Sequence, residues 1–305
     1  MSRGMVRVGV SGWRYEPWRG EFYPTGLVQR RELEFASRAL PTLEINGSFY
    51  ALQRPHSFAQ WHDDTPHDFV FAVKAPRFIT HVRRLREVER PIANFFACGL
   101  LRLNAKLGPI LWQLPPSLRF DAPLLEYFLS LLPHTTEEAL MVACEHDERM
   151  AGRTWLEIDG VRPVRHALEV RHESFVDPAF IALLRRYRVA FVVADTAERW
   201  PEYGDVTADF VYLRLHGAVR TCRSGYSEEE IGDWAQRIAA WRDGGQPASP
   251  RLISHDAPPT AAARDVFCYF DNTDKLHAPA NAARLLGMLG LPDGLGEDGR
   301  FRRLD

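Results

Sequence analysis

The fold that this sequence predicts is a (β/α)8 TIM barrel. Three observations lead there: eight short apolar, β-branched runs, helical patterns between them, and a polar or ionisable group at the end of every run. Strand–helix alternation calls for a parallel sheet with helices outside, and eight repeats call for closure.

The strands are expected at Val6–Ser11, Thr42–Asn46, Phe69–Lys74, Pro109–Gln113, His166–Arg171, Val189–Asp195, Phe210–His216 and Asp265–Asp271. Helices are expected near Arg30–Leu40, Ser57–Asp64, Arg90–Leu103, Ala122–Leu132 with Thr135–Met150, Pro178–Tyr187, Ser227–Arg242 and Leu276–Leu289. Thr135 with Glu138 reads as a capping box, and Asp177-Pro178 as an N-cap followed by proline at the first helical position. Between Asp195 and Asp209 the helical pattern is weak. Gly244–Pro259 reads as a surface loop. Residues 1–290 are read as one barrel domain and 291–305 as a flexible tail. A doubly wound sheet would want a Gly-rich dinucleotide turn after the first strand, and Val-Gly-Val-Ser-Gly-Trp does not supply one.

Composition narrows the function classes. A 46% hydrophobic share with 26% charged residues can bury a full core. A net charge of −2 gives no electrostatic reason for whole-surface binding to duplex nucleic acid. Cys98, Cys144, Cys222 and Cys268 form no C-x-x-C pair and fit reduced, buried thiols. No apolar run has the length of a signal peptide core or a membrane span, so the expected address is the cytoplasm, with no membrane partner.

Side chains alternate along a strand, which splits each run into two sets. Leu43 and Ile45 oppose Glu44 and Asn46; Phe69, Phe71 and Val73 oppose Val70, Ala72 and Lys74. Leu168 and Val170 oppose Glu169 and Arg171; Val211, Leu213 and Leu215 oppose Tyr212, Arg214 and His216. The large apolar set should face the helices, leaving the other to point into the barrel. Ser11, Gln113, Asp195 and Asn272 end the remaining strands. Burying Glu, Lys and Arg is unfavourable unless each is paired. The set therefore marks either a ligand site at the carboxyl ends or an ion-pair network that fixes register.

Several blocks of the chain resemble the YecE-like family, the domain of unknown function 72. They are Gly9-Val-Ser-Gly-Trp-Arg-Tyr15 with Trp18-Arg-Gly-Glu-Phe-Tyr-Pro24, Leu43-Glu-Ile-Asn-Gly-Ser-Phe-Tyr50, Phe71-Ala-Val-Lys-Ala-Pro-Arg77 with Ile79-Thr-His81, and Leu107-Gly-Pro-Ile-Leu-Trp-Gln-Leu-Pro-Pro116. Ala167-Leu-Glu-Val-Arg-His-Glu-Ser-Phe175, Tyr212-Leu-Arg-Leu-His-Gly217 and Tyr269-Phe-Asp-Asn-Thr273 follow. Gly47 departs from the small polar residue usual in the family. The resemblance implies a TIM barrel and no particular activity.

Lys74, Arg77, Arg171 and Arg214 set against Glu44, Glu169 and Asp195 point to a small anionic or nucleotide-like ligand, because arginine grips carboxylate or phosphate at two points. Trp13, Tyr15, Trp18, Phe49 and Tyr50 either stack on it or only seal the barrel top. Glu44 and Glu169 are the candidate acid/base pair, with Arg171 beside Glu169, and His216 is a candidate proton shuttle. Ser11, Trp13, Asn46, Tyr50, Gln113, Asp195 and Asn272 complete the expected binding set. No cofactor is expected. Glu44, Glu169, His172, Asp195 and His216 are metal-ligand types, so a divalent metal stays an alternative, although the arginines among them oppose a cation. Ser11 lacks the Gly-x-Ser-x-Gly elbow of a nucleophile. The expected function is an enzyme of hydrolase, lyase or isomerase type acting on a phosphorylated sugar or nucleotide-like molecule. The alternative is a non-catalytic ligand-sensing or nucleic-acid-binding barrel.

Overall fold

A computed structural model describes residues 3–196, 200, 202–217, 225–247, 249, 251–271, 276–296 and 301. Eight parallel strands pair in sequence order into a closed barrel. They are β1 Val6–Ser11, β2 Thr42–Ile45, β3 Val70–Lys74, β4 Leu107–Gln113, β5 His166–Glu169, β6 Ala190–Asp195, β7 Phe210–Leu215 and β8 Asp265–Phe270. The expected fold is the observed one. Several strands stop one or two residues early, because the last polar residue leaves the ladder. Asn46, for instance, already has helical dihedrals (φ −93°, ψ −22°).

The helices among the described residues are α1 Glu32–Ala39, α2 Gly47–Tyr50, α3 Pro55–Asp63, α4 Glu89–Ala97, α5 Ala122–Ser130, α6 Thr136–Cys144, α7 Pro178–Arg186, α8 Glu228–Arg242 and α9 Ala278–Met288. The Thr135–Glu138 capping box forms, and Asp177 accepts from the Ala179 amide at the start of α7. The helix expected over Arg90–Leu103 breaks in two. Gly99 takes φ +107°, and a Cβ there would lie 2.4 Å from Pro55 Cα, so only glycine fits between α4 and the 3-10 turn at Leu100–Lys106. The short α2 was not foreseen, since four residues are too few for a helical period.

The chain falls into two compact units, Met1–Glu44 with Ala190–Asp305, and Ile45–Val189. In the first, β1 pairs with β2 and β8, and β6, β7 and β8 run side by side. The strands approach closely at Gly9, where a Cβ would sit 1.9 Å from Thr42 O. Val8, Val10, Leu213, Val266, Ile238 and Leu285 fill the core. Cys268 is buried there, while Cys222 lies outside the described residues. The described residues between β6 and β7 form no helix, as the weak pattern implied. Phe301 packs edge-on against Phe22, with ring centroids 4.7 Å apart.

In the second unit β3, β4 and β5 are adjacent, with Gln113 opposite Glu169. His166 is fully buried at the start of β5. Trp112 Nε1 donates to its Nδ1 (3.1 Å), which leaves Nε2 to donate to Pro133 O (2.7 Å). Burial lowers its pKa to about 3, so it is a neutral structural histidine. Cys98 is buried, but Cys144, expected to be buried too, is exposed at the end of α6.

Candidate functional site

In the first unit the strand-end residues form one hydrogen-bonded cluster around Glu44. β1 and β2 are in register at Ser11 and Glu44, so Ser11 Oγ donates to Glu44 Oε1 at 2.5 Å. From β7, Tyr212 donates its phenol to Oε2 (2.7 Å), and two residues on, Arg214 donates through Nε to Oε2 (3.2 Å) and through Nη2 to Oε1 (3.0 Å). Arg214 Nη2 also reaches Asp271 Oδ2 at 2.5 Å. Ser11, Glu44, Tyr212 and Arg214 are all buried. Burial, then the Glu44 charge, pushes the Tyr212 phenol well up, so it stays a donor. His216 stands 3.6 Å from Asp271 and is partly exposed.

This arrangement bears on three expectations. Glu44 has both oxygens engaged. Arg214, expected to clamp a ligand, is fully buried and turned toward Glu44 and Asp271 instead. The sequence reading placed the eighth strand's polar group at Asn272, which lies outside the described residues; the residue that bonds Arg214 is Asp271.

A second carboxylate stands at the end of β6. Asp195 Oδ2 accepts from Tyr226 (2.8 Å), whose phenol oxygen in turn accepts from the Gly217 amide (2.8 Å). Glu202 is pushed up to about 7, first by burial and then by the Asp195 charge, against the pull of Arg237 3.6 Å away. Neither Tyr226 nor Glu202 was expected, because both lie in segments without a strand pattern. Of the aromatics, Trp13 and Trp18 are buried, and Trp18 packs against Tyr15 and Phe22.

The second unit carries Lys74, Arg77 and Arg171. Glu169 ends β5 with no exposure, and Arg171 Nε and Nη2 each lie 2.7 Å from its Oε1. Lys74, at the end of β3, places Nζ 4.3 Å from the centroid of the Phe49 ring, a cation–π contact. Ser48 of α2 donates to Lys74 O at 2.7 Å and so ties α2 to the strand end. His81 packs perpendicular to the same Phe49 ring, with centroids 5.1 Å apart. Its pKa is lowered to about 4 by burial, then by the charges of Lys74, Arg171 and Arg77, with Glu169 opposing. His81 is therefore neutral at pH 7 and lies in the field of three cations and one carboxylate. It sits in a π-turn at Phe78–Val82 that sequence periodicity does not reveal.

Gln113 is buried, Asn46 half-buried, and Tyr50 73% exposed. His172 accepts from the Ser174 amide, a local turn contact. Among the described residues no group of three or more His, Cys, Asp or Glu gathers as metal ligands would. No helix of the described residues is long and apolar enough to cross a membrane.

The family described as "Protein of unknown function DUF72" matches residues 7–299. The chain belongs to the DUF72 family. The UPF0759 protein YunF of Bacillus subtilis (strain 168) is 30% identical over 118 residues, 37% of this chain and 40% of that protein. The UPF0759 protein YecE of Escherichia coli (strain K12) is 28% identical over 130 residues, 42% and 45%. The aligned region thus spans less than half the length of these curated relatives. A DUF72 protein of Thermotoga maritima MSB8 superposes with a TM-score of 0.66 at 24% identity, covering 94% of this chain and 99% of that one. One of Enterococcus faecalis V583 gives 0.64 at 17%, covering 95% and 100%. At these identities the DUF72 structures show a shared fold.

Proposed function

We propose that this DUF72 protein is an enzyme that binds a small anionic substrate at the ends of β3 and β5 and acts on it by acid/base chemistry of hydrolase, lyase or isomerase type. The observation that carries the reading is that Lys74 Nζ and the His81 ring meet the same Phe49 ring, 4.3 and 5.1 Å from its centroid, with the charges of Arg77 and Arg171 also acting on His81. A phosphate or carboxylate is the ligand such a positive field attracts, and the arginine fork suits either. Glu169 and neutral His81 are then the groups able to take a proton beside the bound anion. Glu44 and Arg214 hold the ends of β1, β2 and β7 in shape, as positioning residues.

The contact of Arg171 through two nitrogens to Glu169 favours a second reading, a ligand-sensing barrel without chemistry, in which Glu169 only orients Arg171.

Calorimetry with inorganic phosphate, sulfate and acetate tests the anion reading. Phosphate is expected to bind, and Lys74→Met and Arg77→Met each to weaken it roughly tenfold, the worth of one charged contact. A wild-type protein unresponsive to all three anions overturns it.

A further inference from the structure

The second unit has a groove of about 600 Å³. Phe49, Tyr50 and Phe78 line it, and Tyr50 and Phe78 are 73% and 46% exposed. Large rings left open in a concavity of this size mark a small-molecule site, for which roughly 300–1,000 Å³ is usual. The Phe49 ring joins the groove to Lys74, since it lines the one and carries Lys74 Nζ, with the His81 ring packed perpendicular to it. Arg77 lies between two lining residues, Pro76 and Phe78.

The groove wall is held in an unusual backbone. After the π-turn, Arg84, Leu85 and Glu87 all take positive φ (52°, 66° and 50°). Leu85 is buried, and Arg84 donates to Ser117 Oγ (2.9 Å) and Ser117 O (2.8 Å). Non-glycine residues in this region are strained, and such strain clusters at ligand sites.

We propose that the groove seats the planar ring of a substrate whose anionic group is held by Lys74, Arg77 and Arg171: a nucleotide-like aryl phosphate rather than a sugar phosphate. This rests on the anion-binding reading above. A sugar phosphate offers no aromatic face to Tyr50 and Phe78. A polynucleotide strand would want an unbroken basic run, yet of the four groove arginines Arg83 is ion-paired with Glu87 and Arg90 with Glu145, and Glu87 and Asp147 line the groove beside Arg149 and Arg153.

The test compares inorganic phosphate, ribose 5-phosphate, adenosine, adenosine 5′-monophosphate and a ten-nucleotide single strand by calorimetry. Adenosine monophosphate is expected to bind roughly tenfold or more tighter than ribose 5-phosphate, the worth of one stacked ring. Tyr50→Ala, and Tyr50→Ala with Phe78→Ala, should remove that gain and leave phosphate binding unchanged; both side chains are exposed, and Tyr50→Ala alone serves if the pair disturbs folding. Adenosine binding that requires Tyr50 supports the groove even if phosphate fails to bind, in which case only the anion reading falls. Equal affinity for ribose 5-phosphate and adenosine monophosphate overturns the proposal. So does a gain that survives both substitutions, or a strand that outbinds the mononucleotide tenfold.

Discussion

Arg214 and Glu44 face each other with neither side chain exposed, Nη2 standing 3.0 Å from Oε1 and Nε 3.2 Å from Oε2. A buried pair of this kind is a poor source of net stability, but breaking it is severe, because the remaining charge is stranded. Arg214→Met leaves Glu44 and Asp271 without their cation and should cost about 3–5 kcal/mol in urea unfolding. Arg214→Met with Glu44→Gln should cost less than the sum of the two singles, since each alone strands its partner. Strict additivity would show that the contact carries no coupling.

Arg171 and Glu169 form a less symmetric pair, as Glu169 is fully buried while the Arg171 side chain keeps 20% exposure. Arg171→Met abandons a buried carboxylate and should cost about 3–5 kcal/mol. Glu169→Gln leaves Arg171 a route to solvent and should cost only about 1.5–3 kcal/mol, the worth of a charged hydrogen bond. Phosphate should bind Glu169→Gln at least as well as wild type and Arg171→Met more weakly. Equal losses of stability, with phosphate binding unchanged in both, would assign the pair to the scaffold alone.

The pKa of His81 is lowered to about 4 from an ordinary 6.5. The unfolded chain therefore binds more protons there than the fold between these values, and stability falls as pH drops from about 6.5 through about 4. His81→Gln should flatten that part of the pH–stability curve. Proton NMR should follow the imidazole near pH 4 in the free protein and at higher pH in Lys74→Met or with phosphate bound. An imidazole that titrates near 6.5 in the free protein would show that the cations do not act on it.

Glu202 has the opposite sign. Raised to about 7, it binds a proton in the fold that the unfolded chain has lost above about 4.5. Its stabilising effect is complete below 4.5 and disappears as pH rises through 7. Glu202→Gln should leave stability near pH 5 little changed and raise it at pH 8 relative to wild type. Equal effects at both pH values would mean that Glu202 is ionised throughout.

The barrel was readable in the chain because β-branched runs of four to seven residues, separated by capped helices, allow few other topologies, and every strand appeared within two residues of its expected ends. Period-two alternation also separated Glu44, Glu169 and Arg214 from their apolar neighbours. Local pattern could not say what those residues touch. That Arg214 turns to Glu44 and Asp271, and that the charges of Arg171 and Glu169 act on His81, depends on contacts between segments far apart in sequence. His81, Glu202 and Tyr226 lie where no strand or helix period exists to announce them. Sequence periodicity determined which strand face is apolar and which carries the polar groups, since side chains alternate along a strand. Only the tertiary structure decided which charges are spent on one another, because Coulomb energies and desolvation depend on distances between residues that the chain order does not encode.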